Sequence, residues 1–175
     1  MAELTSSILE FVRQHPNWAT AIVFILALGE SLPFASLVLP FWALLVAIGT
    51  IIGAAAPFTF WSIVSAAAVG AALGDWLSYW IGYRYENRLQ GLWPIRNYPD
   101  LLQKARSFFK RWGAAAIVLA RFSGPLRATL PIVAGMAGMP GMRFQLANWS
   151  SAFLWALVLL SPGALGLGKL LSWLK

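Results

Sequence analysis

Four ionisable residues stand in stretches of this chain that are otherwise apolar: Glu30, Asp75, Arg121 and Arg127. A charge at the centre of a membrane helix costs about 2.5 to 3.5 kcal/mol on insertion scales, so four unpaired ones would cost on the order of 10 kcal/mol. Two acids and two bases cancel, and the natural pairing sets Glu30 against Arg121 or Arg127. A buried carboxylate in a polar cavity can exchange protons, and a guanidinium fork can hold a phosphate through two parallel N–H donors. The plain alternative is an ion pair that only pins two elements together. Asp75 lies nine residues before Arg84, ~13 Å along a helix at ~1.5 Å per residue, which places it near mid-membrane with Tyr79 one turn on. There it either bonds a neighbouring element or relays protons.

Other chemistries lack their residues. The chain has no Cys, so it offers no disulfide, thiolate metal site or cysteine nucleophile. Its single histidine, His15, sits beside Pro16 among polar residues and receives no role. No Ser-His, paired-His or metal-ligand constellation occurs, so no catalytic residue, metal or cofactor is predicted and the chain is not read as an enzyme. The net charge of +7 does not indicate nucleic acid, because seven of the thirteen basic residues lie between Arg84 and Arg111, flanked by apolar sequence. That distribution predicts a cytoplasmic loop.

The elements that must position the four charges follow from hydropathy. Of 175 residues, 59% are hydrophobic and 11% charged, the latter well below the level of about 25% usual in soluble domains. The chain is therefore predicted to be an integral membrane protein with room for a few spanning elements. Glu3, Glu10 and Arg13 precede the first apolar run, which argues against a cleaved signal. Residues 3 to 14 form an amphipathic pattern closed by Pro16, and residues 17 to 29 are apolar but too short to cross. From Ser31 to Gly74 no charge occurs, yet Pro33, Pro40, Gly49, Gly53 and Pro57 interrupt the run, which suits a hairpin that enters and returns. Pro57 then opens a spanning helix through Gly70, Gly74, Asp75 and Tyr79 to Arg84. Gly70 and Gly74 offer a face for close helix approach.

The second half repeats this order. Residues 101 to 112 are amphipathic, and two short apolar pieces surround Arg121-Phe122-Ser123-Gly124-Pro125-Leu126-Arg127. A run from Phe144 to Gly168 is long enough to cross. The predicted fold is all-α and membrane-integral, an inverted repeat of amphipathic helix, re-entrant helical hairpin and transmembrane helix. It forms one membrane domain over residues 1–175, with repeat one at about 3–84, a basic loop at about 84–100 and repeat two at about 101–172. Hairpin breaks are predicted at Pro33, Pro40, Gly124, Pro125 and Pro131. Discontinuous elements meeting at the midplane are transporter architecture. Asn148, on the last helix, is expected to bond a hairpin carbonyl, and the aromatic residues to form belts and packing.

These residues resemble the DedA family, also called the SNARE-associated or VTT-domain superfamily. In the first half Glu30-Ser31, Pro33 and Pro40 look like its first hairpin, and Gly74-Asp75, Tyr79, Gly82 and Arg84 look like its central helix. In the second half Phe109, Gly113, Arg121-Phe122, Gly124-Pro125, Arg127, Pro131, Ala134-Gly135, Met139, Phe144, Asn148 and Trp155 fall at the family's spacing. Two departures stand out: Trp42 occupies the place of a second carboxylate, and the proline of the arginine motif comes one position later, as Gly124-Pro125. The resemblance implies a bacterial inner-membrane protein that moves lipids between leaflets, such as undecaprenyl phosphate or phospholipid, with dependence on the proton-motive force.

The functional expectation is a flippase- or scramblase-like transporter of anionic lipid, with or without proton coupling. Arg121 and Arg127 are expected to bind the phosphate, Glu30 and Asp75 to carry the proton, and Tyr79 and Asn148 to support them. The expected partners are membrane lipids with anionic head groups, and protons; no nucleic acid is expected. A small-ion or proton antiporter and a non-transporting assembly factor are the rivals.

Overall fold

In a computed structural model the described residues are 18–32, 44–49, 57–90, 100–123 and 126–164, with Ser7, Glu10 and His15. Seven helices lie among them: α1 (Ala19–Glu30), α2 (Pro57–Arg84), α3 (Glu86–Gln90), α4 (Asp100–Trp112), α5 (Ala114–Arg121), α6 (Leu126–Met136) and α7 (Gly141–Ala164), with residues 44–49 also helical. No strand occurs among the described residues. Pro33, Pro40, Trp42, Gly124 and Pro125, and most of residues 3 to 14, lie outside them.

Among the described residues two helices are long and apolar enough to cross a membrane. At about 1.5 Å per residue, the 28 residues of α2 and the 24 of α7 reach some 42 and 36 Å, more than the hydrocarbon thickness of about 30 Å. α2 starts at Pro57, where a missing N–H costs the helix nothing. On the outer faces of α2 and α7, Trp76, Leu77, Trp80, Leu146, Phe153, Leu154 and Val158 are exposed. An apolar surface of that extent is what lipid covers. By contrast α1, α5 and α6, of 12, 8 and 11 residues, are each too short to span.

α2 is the hub, packed against α1, α6 and α7. Two of its contacts are backbone on backbone. A Cβ added at Gly74 would come within 2.7 Å of the Leu28 carbonyl oxygen of α1, and one at Gly70 would collide with the Phe24 carbonyl. The small face predicted at Gly70 and Gly74 is thus the seat of α1. Farther along, Gly82 and Gly135 bring α2 and α6 equally close: a Cβ on Gly82 would meet the Ile132 carbonyl, and one on Gly135 the Tyr79 carbonyl.

The core divides into two clusters. One joins Val23 and Ala27 of α1 with Leu45, Ile48, Ile63, Val64, Ala71, Ala156 and Leu160, and the other joins Tyr79 with Phe109, Ile117, Ala134, Met139 and Phe144. Gly138, at φ +73°, ends α6: its N–H reaches the Gly135 carbonyl at 3.0 Å, and the Met139 N–H reaches back to Ala134 at 3.1 Å. This is a Schellman closure, and it turns the chain directly into α7.

One expectation is corrected here. Pro131 does not break a hairpin; it lies buried inside α6. A proline removes only its bond to the carbonyl four residues earlier, here that of Arg127, close to the start of a helix that begins at Leu126. The helix therefore continues through it.

Candidate functional site

Of the four charges predicted to matter, Glu30, Asp75 and Arg121 are buried and Arg127 is partly so, and they meet as two ion pairs beside α2. Arg121, the last residue of α5, donates from Nη2 to Asp75 Oδ2. The same Nη2 donates to Asn148 Oδ1 at 2.6 Å, and Nε donates to Ser151 Oγ at 3.0 Å. Its side chain is 3% exposed. The acceptors are held in turn: Asn148 Nδ2 donates to the Ala72 carbonyl at 2.9 Å, and the Ser151 hydroxyl donates to the Asn148 carbonyl at 3.1 Å. An arginine in low dielectric is tolerable when its donors are met in this way.

Arg127, in the first turn of α6, has different surroundings. Nη1 lies 3.3 Å from Glu30 Oε1, and the guanidinium sits 4.5 Å from the centroid of the Trp155 ring. Its Nη2 is buried without a hydrogen-bond partner among the described residues. The side chain is 11% exposed. A cation over an indole face is stabilised by roughly 2 kcal/mol when desolvated, yet the ring accepts no directed N–H bond there. A donor directed at no acceptor is the feature a phosphate oxygen would complete.

Several elements combine to make this site. Glu30 is the final residue of α1, brought to the cluster by the glycine-lined contact of α1 with α2. Asp75 follows Gly74 on α2, so the close approach and the acid share one helical turn. Asn148, Ser151 and Trp155 recur at helical spacing on α7 and form one stripe facing the two arginines. Tyr79 stands one turn beyond Asp75; its hydroxyl donates to the Met139 carbonyl at 2.5 Å, and its ring stacks on Phe144 at 4.2 Å. It ties α2 to the α6–α7 turn and touches neither arginine through these contacts.

Of the predicted pairings, Glu30 takes Arg127 and Asp75 takes Arg121. Asn148 bonds a carbonyl of α2, not one of a hairpin, because α7 packs along α2 at this depth. Ser151 and the role of Trp155 beneath Arg127 were not anticipated. Their spacing from Asn148 was the available signal.

A VTT domain matches residues 39–165 of the chain. The chain is 31% identical to the inner membrane protein YabI of Escherichia coli K12 over 155 residues, which is 89% of this chain and 61% of YabI. It is 32% identical to the inner membrane protein YqjA of the same strain over 158 residues, 88% of this chain and 70% of YqjA. It is also 32% identical to a membrane protein of Buchnera aphidicola, BU139, over 91% of this chain and 62% of that protein. The chain thus spans about three fifths of the length of YabI and of BU139. No solved structure matches. The matched VTT region contains Asp75, Arg121, Arg127, Asn148, Ser151 and Trp155, every member of the cluster on α2, α5, α6 and α7 described above, and the chain belongs to the VTT-domain, or DedA, family of membrane proteins.

Proposed function

We propose that the protein moves anionic, phosphate-bearing lipid between the leaflets of a bacterial inner membrane, and that Arg127 is the residue that takes the phosphate. The observation that carries this reading is the buried Arg127 Nη2, which has no acceptor among the described residues while Nη1 is held only at 3.3 Å by Glu30. A phosphate oxygen supplies the missing acceptor, and Trp155 keeps the guanidinium plane in place from beneath. Arg121 stands apart from this role, because Asp75, Asn148 and Ser151 already occupy it.

Glu30 then competes with the lipid for Arg127. When Glu30 takes a proton the ion pair weakens and the arginine is released to the phosphate; when it loses the proton the pair re-forms. This couples lipid binding to protons through one carboxylate, and Asp75 remains with Arg121. In this reading α5 and α6 form a re-entrant hairpin, and α1 belongs to its counterpart in an inverted repeat. The short helices support that arrangement, since none of the three can cross alone.

The test is reconstitution of the purified chain with fluorescent phosphatidylglycerol or a labelled polyprenyl phosphate, with and without a proton gradient. Wild type should exceed empty vesicles, and Arg127→Gln should lower the rate by about tenfold or more, the worth of a charge-assisted bond. Glu30→Gln should keep transport but lose its response to the gradient. Wild-type transport no faster than empty vesicles would sink the proposal, and a gradient-driven flux of small ions in its place would establish the antiporter reading.

A further inference from the structure

A cavity of about 280 Å3 opens where α4 meets the α6–α7 turn, away from the buried pairs. Three cations line it: Arg106 and Lys110 from α4 and Arg143 from α7. Backbone of Gly138, Met139 and Pro140 forms another wall, where the positive φ of Gly138 leaves no side chain in the way. Arg106 is held by Glu86 at 2.6 Å, whereas Lys110 and Arg143 have no acidic partner among the described residues. Like charges converging on one small cavity repel each other and raise the local anion concentration. Arg143 also stands in the first turn of α7, where no acidic residue offsets the positive end of the helix. An anion in the cavity relieves both costs.

The surroundings indicate what carries the anion. Exposed Met142 adjoins Arg143, and Phe109 and Met139 line the cavity beside the cations, so apolar surface borders the charge as it would at a lipid head group. The floor residue Met139 accepts the Tyr79 hydroxyl, and Tyr79 is one helical turn from Asp75. The cavity thus backs onto the turn that Tyr79 ties to α2. We infer that it docks the phosphate-bearing head group of an anionic lipid at the membrane surface, as a site distinct from Arg127. The inference rests on the lipid reading for the choice of ligand, but binding here does not require that the lipid cross.

The purified full chain in detergent would be titrated with dihexanoyl phosphatidic acid, dihexanoyl phosphatidylcholine and inorganic phosphate, binding being followed by tryptophan fluorescence and by native mass spectrometry. Phosphatidic acid should bind about tenfold tighter than phosphatidylcholine, and Lys110→Gln with Arg143→Gln should weaken it about fivefold or more, each single variant giving part of the loss. Lys104→Gln with Arg111→Gln removes the same charge from the other exposed stripe of α4, and that pair should stay within about twofold of wild type. Equal losses in the two double variants would reduce the effect to general charge and overturn the site. Placed in an Arg127→Gln background, Lys110→Gln with Arg143→Gln should still weaken the remaining binding about fivefold or more, and no further loss there would move the binding to the buried pair and overturn the site. Displacement by equimolar inorganic phosphate would make it a site for the free anion and overturn the lipid assignment. Docking without transport leaves this inference standing and sinks the transport proposal; transport without docking does the reverse.

Discussion

Arg121 ends α5 and Arg127 begins α6, and the two guanidinium groups sit in one buried cluster with opposite degrees of commitment. The first is clasped by a carboxylate, an amide and a hydroxyl from α2 and α7. The second has one acid at 3.3 Å, an aromatic ring beneath it and a donor that meets no acceptor among the described residues. Two arginines with the same sequence signature thus divide the work. One fastens α5 between the two spanning helices, and the other is left with binding capacity. Function in this cluster is better read from unmet hydrogen-bonding capacity than from the presence of charge.

The sharpest way to break the comparison is to neutralise each arginine in turn and weigh the folded protein. Arg121→Gln leaves Asp75 buried without its partner, and loss of one member of a buried pair costs about 3 to 5 kcal/mol. Recovery of monodisperse protein should collapse, whereas Arg127→Gln should be recovered within about twofold of wild type because its ion pair is looser, at 3.3 Å, and its side chain is 11% exposed against 3% for Arg121. Equal recovery of the two variants would show that both pairs are fasteners and remove the ground for assigning transport to Arg127.

A smaller effect sharpens the ligand-holding side. Trp155→Leu keeps apolar volume under Arg127 but removes the π face, worth roughly 1 to 2 kcal/mol in a desolvated site, so transport should fall about fivefold to thirtyfold. Trp155→Phe restores a weaker face and should recover part of the rate. A loss that Phe does not relieve at all would make Trp155 a packing residue alone.

Much of this was legible before any coordinates. The four charges identified themselves by their cost in an apolar chain, Pro57 marked the start of α2, and Gly70 and Gly74 marked the seat of α1. The pairing was not legible, because which acid meets which base depends on how α2 and α7 are rotated about their axes, and uniformly apolar helices carry little sequence record of rotation. The Gly82–Gly135 contact was hidden for a related reason: either glycine alone is unremarked, and only the packing of α6 on α2 makes them a pair. Pro131 was misread as a break because proline penalises the carbonyl four residues back, and that carbonyl here belongs to the first turn of α6.

The least disruptive test bears on the internal logic of the clasp. Ser151 accepts from Arg121 Nε and donates to the Asn148 carbonyl, so its hydroxyl sits between the arginine and the backbone of α7. In Ser151→Ala the Nε donor loses its acceptor, while Asp75 and Asn148 still hold Nη2. One unmet buried donor costs about 1 to 3 kcal/mol, and the remaining contacts keep α5 in place, so a lower melting temperature in detergent is expected with little change in lipid transport per folded molecule. Ser151→Thr keeps the hydroxyl and should restore most of the stability if its extra methyl fits. A Ser151→Ala variant with unchanged melting but slowed transport would invert the comparison, making the Arg121 side the one that moves during transport and the Arg127 side the fixed support.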